Sequence, residues 1–343
     1  MVYTQLNIFG KKRNKMKFLY VCTSSNTDFF LEQTFVSIVT LKLNTPNAFV
    51  SLLIDKATKK TLVNDRKKIK DIVDEITVID LDESLSAQIR SRLLKTSMRH
   101  HIQDDFLFID SDTIILSNLE EINQNPNDLA GVLDCHTLLH NNPQIQIHSH
   151  IKKMKNLCSD RAFLNNELYF NSGVLLVRDS NENHSFFKMW HELYKKHQKQ
   201  NNIIQDQPTL ALTNFKSGNV IKELDGTWNC QLNYGTHLFR SAKILHFFAS
   251  VNIPMAMQNM YKKVRQLAFS QSAVSFIERY YETAAFDFGS TALVKGAEYK
   301  VLNTALYRFL IYTYSSHKKL YNFFEKIASL GRGHGFYYKT KKG

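Results

Sequence analysis

The chain has 343 residues, of which 43% are hydrophobic, with only 12 glycines and 5 prolines, so it can bury a large core. This composition excludes collagen-like and wholly disordered proteins. The formal net charge is +13, and the excess lies at the ends: residues 11–70 hold 13 basic and 4 acidic residues, and residues 295–343 hold 10 and 2. Residues 71–294 hold 21 basic and 25 acidic residues, which argues against nucleic acid as a partner of the main body. Phosphate ligands or an anionic membrane surface fit better.

The cysteines and apolar runs indicate a cytoplasmic chain. The four cysteines are widely spaced, without a CxxC motif, which disfavours a zinc ribbon or a disulfide scaffold. The run Phe18–Cys22 is too short for a signal peptide. No stretch approaches the roughly 18 apolar residues of a membrane span. We therefore expect a cytoplasmic protein that can lie at the inner face of the plasma membrane, with residues 1–15 as a disordered leader.

Short apolar runs predict strands at residues 18–22, 49–54 and 76–79. Between them, residues 29–42 and 63–75 have apolar positions at helical spacing. This alternation predicts an α/β fold with a doubly wound, mainly parallel sheet. Further strands are predicted at residues 106–109, 129–133 and 173–177.

Such a sheet binds its ligand beyond the carboxyl ends of its strands. After the first strand, residues 23–26 (Thr-Ser-Ser-Asn) form a polar loop that lacks the glycine motifs of dinucleotide-binding folds and P-loops. The loop can hydrogen-bond a nucleobase and ribose, or it can be an ordinary helix N-cap.

The fourth predicted strand ends in two carboxylates, Asp110 and Asp112, whose spacing puts both on one side of an extended chain. Two carboxylates there can hold a divalent cation, which in turn binds phosphates such as those of a nucleotide sugar. The motif alone is weak, because Asp80 and Asp82 repeat it. We interpret this second pair as helix-start residues.

Five sequence blocks follow one another along the chain: Ile109–Ile114 (IDSDTI), Tyr169–Val177 (YFNSGVLLV), Asp206–Pro208 (DQP), Leu224–Asn229 (LDGTWN) and Ile244–Phe247 (ILHF). In this order they resemble family 8 glycosyltransferases and their bacterial relatives. The resemblance covers about residues 17–250 and implies a GT-A fold, a nucleotide-sugar donor and a divalent metal.

The resemblance implies that Asp110, Asp112 and His246 are the metal ligands. One imidazole with two carboxylates favours Mn2+ over Mg2+, which such a site can also accept. For His246, the alternative is a buried core histidine.

The resemblance also implies a nucleotide-sugar site, in which the loop after the first strand receives the nucleoside. Arg92 would reach the donor from a helix, although it could also belong to a solvent-facing basic side. The implied nucleotide-sugar-binding residues are Cys22, Thr23, Ser24, Asn26, Arg92, Lys95, Ser111, Asn171 and Ser172.

The implied catalytic residues are Asp134, Asp206 and Gln207. Asp134 matches an acidic position near the donor and acceptor sugars, and Gln207 would lie beneath the transferred sugar. The resemblance implies that the anomeric configuration of the sugar is retained. Because an amide is a poor nucleophile, the acceptor would then attack on the face from which the leaving group departs. Asp206 can also be a helix N-cap before Pro208.

One motif departs from the family pattern, in which a Gly and a Lys-Pro-Trp that hold the diphosphate follow the metal histidine. Here His246 is followed by residues 247–254 (FFASVNIP). Lys243, Lys262 and Lys263 are candidate replacements.

We predict a catalytic domain over residues 16–254, with a nucleotide half (16–115) and an acceptor half (116–254). Residues 255–343 are predicted to form a helical, basic and aromatic appendage with a mobile tail. Its aromatic side chains either lie on an anionic membrane or pack against the catalytic domain.

The sequence therefore predicts a glycosyltransferase that moves a sugar from a UDP-sugar to a glycan or lipid-linked acceptor, in surface polysaccharide or lipopolysaccharide-type biosynthesis. UDP follows from the resemblance alone. Two alternatives are a haloacid-dehalogenase-like phosphatase that uses Asp110, and a non-catalytic sugar-nucleotide binding module. The phosphatase motif should follow the first strand of its fold, whereas Asp110 follows the fourth predicted strand.

Overall fold

The computed structural model describes residues 16–141, 144–232, 234–235, 238–247, 255–288 and 304–330. The predicted leader (1–15), the predicted tail and residues 248–254 lie outside the described residues. The strands are β1 Lys17–Cys22, β2 Phe49–Asp55, β3 Glu75–Ile79, β4 Phe106–Ile109, β5 Thr113–Ile115, β6 Leu129–Leu133, β7 Phe170–Val177, β8 Lys222–Glu223, β9 Cys230–Gln231 and β10 Ile244–His246.

Within the described residues, seven strands form the main sheet in the order β3-β2-β1-β4-β7-β6-β8. Strands β1 to β4 are parallel, whereas β7 runs antiparallel to both β4 and β6. The predicted mainly parallel sheet is confirmed. Because β7 is reversed, its first residues lie at the edge where β4 ends, and Ile109 pairs with Val174. A smaller sheet has the order β5-β10-β9.

The helices connect these strands and cover both faces of the main sheet. They are α1 Phe30–Asn44, α2 Lys56–Thr61, α3 Ala87–His101, α4 Gln144–Leu157, α5 Arg161–Leu164, α6 Asn181–Asn201, α7 Gln207–Lys216, α8 Met255–Gln266, α9 Gln271–Phe288, α10 Ala305–Ser316 and α11 Lys318–Leu330.

Two sequence predictions about helices need correction. Residues 63–75 do not form one α-helix: α2 is followed by a 3-10 helix, Asn64–Asp71, in which Ile69 is the buried residue. Such a charged segment has too narrow an apolar face to support a longer helix. Asp80 and Asp82 do not start a helix either, since α3 begins at Ala87 and the Ser86 hydroxyl accepts its capping hydrogen bond.

Alternate residues of the strands enter separate cores on the two faces of the sheet, as a period of two requires. Phe18 and Tyr20 pack with α1, α8 and α9, whereas Leu19 and Val21 pack with α3 and α6. Met257 of α8 is among the buried residues of the first core. The predicted appendage of residues 255–343 thus begins with helices that share the core of the main unit.

The helices α10 and α11 pack against each other through aromatic pairs. The ring centroids of Phe309 and Phe324 lie 5.6 Å apart, and those of Tyr314 and Tyr321 lie 4.9 Å apart. Of the residues that the structure describes in this hairpin, none belongs to the three apolar core clusters. No helix in the described parts of the chain combines the length and apolar character needed to cross a bilayer.

Candidate active site

Two carboxylates and one imidazole converge where β4 ends. Strand β10 pairs antiparallel with β5, so that His246 lies opposite Thr113 and next to Asp112. The His246 Nε2 atom is 3.2 Å from a carboxylate oxygen of Asp112 and 4.0 Å from one of Asp110. Ligand atoms of all three residues lie within 4.8 Å of one another. This donor set fits a divalent cation such as Mn2+.

The charges in this cluster act on one another. Burial raises the pKa of Asp110, and the neighbouring charge of Asp112 raises it further, against the opposing effect of Lys95. Burial lowers the pKa of His246, but the carboxylates of Asp112 and Asp110 outweigh it, so this pKa lies above its ordinary value. Two neighbouring, partly buried carboxylates that repel each other favour a shared cation.

Gly173 of β7 makes room for the His246 ring. A Cβ atom on Gly173 would lie 2.3 Å from Cε1 and 2.7 Å from Nδ1 of His246. Real side-chain atoms do not approach so closely, so a side chain here would displace the ring. The close approach explains the glycine that follows Asn171 and Ser172.

Asp206 forms a second, buried acidic site directly before α7. Lys95 lies between the two acidic sites, with its Nζ atom 3.0 Å from Asp110 and 3.5 Å from Asp206. Arg92 contacts Asp206 as well, with Nε 3.0 Å from a carboxylate oxygen. Burial raises the pKa of Asp206, but Lys95 and Arg92 outweigh this effect and lower it. Asp206 occupies the N-cap position of α7, but its side chain makes no capping hydrogen bond.

Arg92 and Lys95 are therefore parts of the site. The side chain of Lys95 is only 3% exposed, and both cations contact carboxylates. The alternative of a solvent-facing basic side is wrong for these two residues. Their predicted contact with the donor stays a prediction.

Asp134 lies at the end of β6 and is also buried. His150 of α4 approaches one carboxylate oxygen at 2.9 Å, and Asn171 donates a hydrogen bond to the other at 2.9 Å. Burial raises the pKa of Asp134, but the contact with His150 and the hydrogen bond from Asn171 outweigh this effect, so the pKa is lowered. The carboxylate is thus held in its charged form.

The predicted sugar-binding residues lie together around Asp134 and Asp206. Gln207 lies near enough to Asp134 and Tyr169 to lower the pKa of each. Ser172 acts in the same way on Asp206 and lowers its pKa. The reversed direction of β7 produces this cluster, because it carries Asn171 and Ser172 to the edge where β4 and β6 end.

The loop after β1 is held by hydrogen bonds to neighbouring parts of the chain. Thr23 donates to the Ala87 carbonyl, and Ser24 donates to Asp28 and accepts from Arg66. The backbone N–H of Phe30 donates to Asp28 rather than to residues 23–26, so these residues do not cap α1.

The other nucleotide-sugar candidates differ in access. Cys22 is 2% exposed and its side chain belongs to the apolar core, so only its backbone can contact a nucleotide. Asn26 is exposed, and Ser111 is partly exposed beside Asp110 and Asp112.

The candidate diphosphate clamps lie apart from the acidic site or face solvent. Lys243 pairs with Glu121 and lies 4.8 Å from the Trp228 ring centroid, before the start of the strand that ends in His246. Lys243 is thus engaged at the end of β10 opposite His246, and its role as a phosphate clamp stays a prediction. Lys262 and Lys263 are exposed on α8.

Sequence reasoning missed three residues of this site: His150, Tyr169 and Asn229. His150 stacks on Tyr169 with ring centroids 4.3 Å apart. Asn229 hydrogen-bonds to Asn171 and to His246. Tyr169 and Asn229 lie inside blocks that carry the family resemblance, but the resemblance gave neither residue a role. No sequence pattern pointed to His150.

The sheet and its acidic edge define an α/β protein with a candidate cation site where the strands end. The model of the family described as "Glycosyl transferase family 8" matches residues 21–251. The chain therefore belongs to glycosyltransferase family 8 and is a transferase that moves a sugar from a donor to an acceptor. Because the chain belongs to this family, we discard the two alternative functions, the phosphatase and the non-catalytic module.

Several solved structures are similar to this chain. The galactosyltransferase LgtC, in complex with donor and acceptor sugar analogs, is 14% identical, with 74% of this chain and 95% of that chain covered and a TM-score of 0.48. Mouse xyloside xylosyltransferase 1 in its apo form is 14% identical, with 70% and 99% covered and a TM-score of 0.44. The glycosyltransferase GlyE of Streptococcus pneumoniae TIGR4 is 14% identical, with 78% and 64% covered and a TM-score of 0.46. No curated protein matches the sequence.

Proposed function

We propose that this glycosyltransferase uses a UDP-sugar donor and a divalent cation, preferably Mn2+, and retains the anomeric configuration of the sugar. Its acceptor is a glycan or a lipid-linked sugar of surface polysaccharide or lipopolysaccharide-type biosynthesis. The observation that carries the proposal is the convergence of Asp110, Asp112 and His246 within 4.8 Å at the carboxyl edge of the sheet. UDP and the pathway rest on the family resemblance.

Asp110, Asp112 and His246 would hold the cation. When bound, it would neutralise the charge that develops on the departing diphosphate. The protein's own contribution is to bring together the two carboxylates between β4 and β5 and the histidine of β10, and to bury the imidazole, which is 4% exposed. The nucleoside would lie along the loop after β1, at the same edge of the sheet.

The sugar would lie on the cluster formed by Asp134, Asn171, Ser172, Asp206 and Gln207. Gln207 lies beside Asp134 and Tyr169, whose pKa values it lowers, and this neighbourhood supports our assignment of its amide to the position beneath the anomeric carbon. An amide is a poor nucleophile, so we assign it a supporting role and no covalent bond. The acceptor oxygen would bond to the anomeric carbon on the face from which the diphosphate leaves, and its proton would pass to a phosphate oxygen.

The hairpin α10–α11 would bring the enzyme to an anionic membrane. Its exposed apolar side chains include Leu306, Phe323 and Ile327, at 64%, 57% and 51% exposure. The same two helices carry four exposed basic residues: Arg308, Lys318, Lys319 and Lys326. Aromatic and aliphatic groups suit the interface of a bilayer, while lysine and arginine are attracted to anionic lipids. Lipid-linked acceptors would lie at that surface.

A screen of nucleotide sugars, with and without Mn2+, tests the proposed activity. Asp112→Asn should abolish Mn2+-dependent turnover while the protein stays folded, because one ligand is lost. Asp80→Asn, in the second DxD motif, is the matched control and should keep full activity, since Asp80 pairs with Lys56 on the surface. Full activity of the Asp112→Asn variant would contradict the metal site.

The stereochemical proposal has a separate test. The product anomer, determined by NMR spectroscopy, should have the configuration of the donor. Mass spectrometry of the enzyme incubated with donor should show no covalent sugar. An inverted product, or a glycosyl adduct on Gln207 or a neighbouring side chain, would overturn front-side attack.

A further inference from the structure

Asn229 lies directly behind the proposed metal ligand His246. It ends the 3-10 helix Gly226–Asn229 and is completely buried. Its Oδ1 atom is 2.9 Å from Nδ1 of His246, and its Nδ2 donates to Oδ1 of Asn171 at 2.9 Å. The imidazole thus has the acidic pair at Nε2 and this amide at Nδ1.

The orientation of the Asn171 amide is determined by partners that have only one possible role. The backbone N–H of Gly173 donates to Oδ1 of Asn171 at 2.9 Å, and a backbone N–H cannot accept. Nδ2 of Asn171 donates to Asp134 at 2.9 Å, and an ionised carboxylate cannot donate. Turning the Asn171 amide around would break both hydrogen bonds.

The polarity of Asn229 follows from that of Asn171. Because Oδ1 of Asn171 faces Asn229, the NH2 group of Asn229 must point toward it. The oxygen of Asn229 then points toward Nδ1 of His246, which must carry a proton to make the 2.9 Å contact. The neutral ring therefore has its lone pair on Nε2, the nitrogen that faces Asp112 and Asp110.

We infer that Asn229 is a positioning residue of the cation site: it fixes the ring and the tautomer of His246, so that Nε2 is ready to bind the metal. The inference rests on the proposed metal dependence. Metal-binding histidines generally donate their other ring N–H to a partner that sets the tautomer. Here that partner is an amide, and the hydrogen bonds continue through Asn171 to Asp134. The cation ligand and the sugar-site carboxylate thereby share one chain of hydrogen bonds.

The first experiment examines the histidine without metal. Long-range 15N–1H spectra of the metal-free protein, recorded in alkaline solution where the ring is neutral and with His246 assigned by comparison with His246→Gln, should show His246 with its proton on Nδ1. In Asn229→Ala, the Nε2–H form should appear, because nothing then holds the proton on Nδ1. An Nε2–H form in the wild-type protein would overturn the inference.

The second experiment measures Mn2+ binding by electron paramagnetic resonance of the free ion. Asn229→Ala should weaken Mn2+ binding by about 10- to 100-fold, the usual effect of losing such a partner. Asn229→Asp should bind Mn2+ more tightly than Asn229→Ala, because its carboxylate still accepts from Nδ1–H. If Asn229→Ala does not fold, Asn229→Asp still tests the inference by itself, because its affinity for Mn2+ should then be close to that of the wild-type protein.

Asn183→Ala is the matched control. Asn183 is a buried asparagine of α6 whose amide donates to the carbonyls of Asp128 and Arg178, away from the acidic pair. It should lose stability but keep its Mn2+ affinity. If the wild-type protein binds no Mn2+, the proposed metal dependence fails. If it binds Mn2+ and both Asn229 variants bind it equally well, only the role of Asn229 fails.

Discussion

Arg92 and Asp206 form an ion pair between two helices that are far apart in the chain, with the arginine Nε 3.0 Å from a carboxylate oxygen. Arg92 lies on α3, which precedes β4, and Asp206 lies directly before α7. Lys95, one turn further along α3, also contacts Asp206 and continues to Asp110. Lys95 thus joins the carboxylate of the proposed cation site to that of the proposed sugar site, and Arg92 adds a second cation to Asp206.

Asp206→Asn should destabilise the protein by about 3 kcal/mol, because it leaves Arg92 and Lys95 without the charge they share in a buried setting. Urea denaturation would measure the loss. Asp80→Asn removes an exposed ion pair with Lys56 and should cost less than about 1 kcal/mol. Equal stability of the two variants would show that the buried pairs do not stabilise the fold.

Gly173→Ala should destabilise the protein by about 1–3 kcal/mol, because the new methyl group would overlap the His246 ring. It should also weaken Mn2+ binding, since the ring must move away from Asp112. In the control Gly131→Ala, the nearest atom is the end of the Leu175 side chain at 3.0 Å, which can shift. Titration of both variants with Mn2+ tests the prediction, and unchanged affinity in Gly173→Ala would contradict it.

His191 should make the protein less stable in acid. Burial lowers its pKa to about 4, and its Nδ1 lies 2.8 Å from the Thr96 hydroxyl. An unfolded chain binds a proton at histidine near pH 6.5, so between pH 6.5 and 4 the unfolded state holds more protons than the folded state. The free energy of unfolding should therefore fall as the pH falls through this range.

His191→Gln should make that fall shallower, and denaturation at several pH values would measure it. His140→Gln, at an exposed histidine, is the control and should leave the slope unchanged. A slope in His191→Gln identical to that of the wild type would show that His191 does not contribute.

The full chain should sediment with liposomes that contain anionic lipids, and it should be released at high salt, because the attraction of lysine and arginine to the surface is screened. Replacing Phe323 and Ile327 with serine should reduce sedimentation at low salt, since these exposed side chains would enter the interface. Val63→Ser with Val220→Ser removes exposed apolar groups outside the hairpin and should have no effect. If the full chain stays in the supernatant at low salt, the membrane role is wrong.

Much of the architecture could be predicted from the sequence because it depends on local patterns. Apolar runs marked β1, β2 and β3, and the strand–helix alternation implied a doubly wound sheet. The position of Asp110 and Asp112 directly after a buried strand placed them at the ligand-binding edge. The order of the motif blocks then selected His246 from 13 histidines. Each of these steps uses spacing along the chain, which the sequence contains in full.

The tertiary structure alone decided which side chains meet. The reversed direction of β7 placed Asn171 beside Asp134, and the pairing of β5 with β10 placed His246 beside Asp112. Only the structure placed the buried ammonium group of Lys95, a predicted donor-binding residue, between Asp110 and Asp206. Asn229 gained a role only because its amide lies between Asn171 and His246. Such contacts join residues that are distant in sequence, and they depend on how whole strands and helices pack, so no local pattern of residues can specify them.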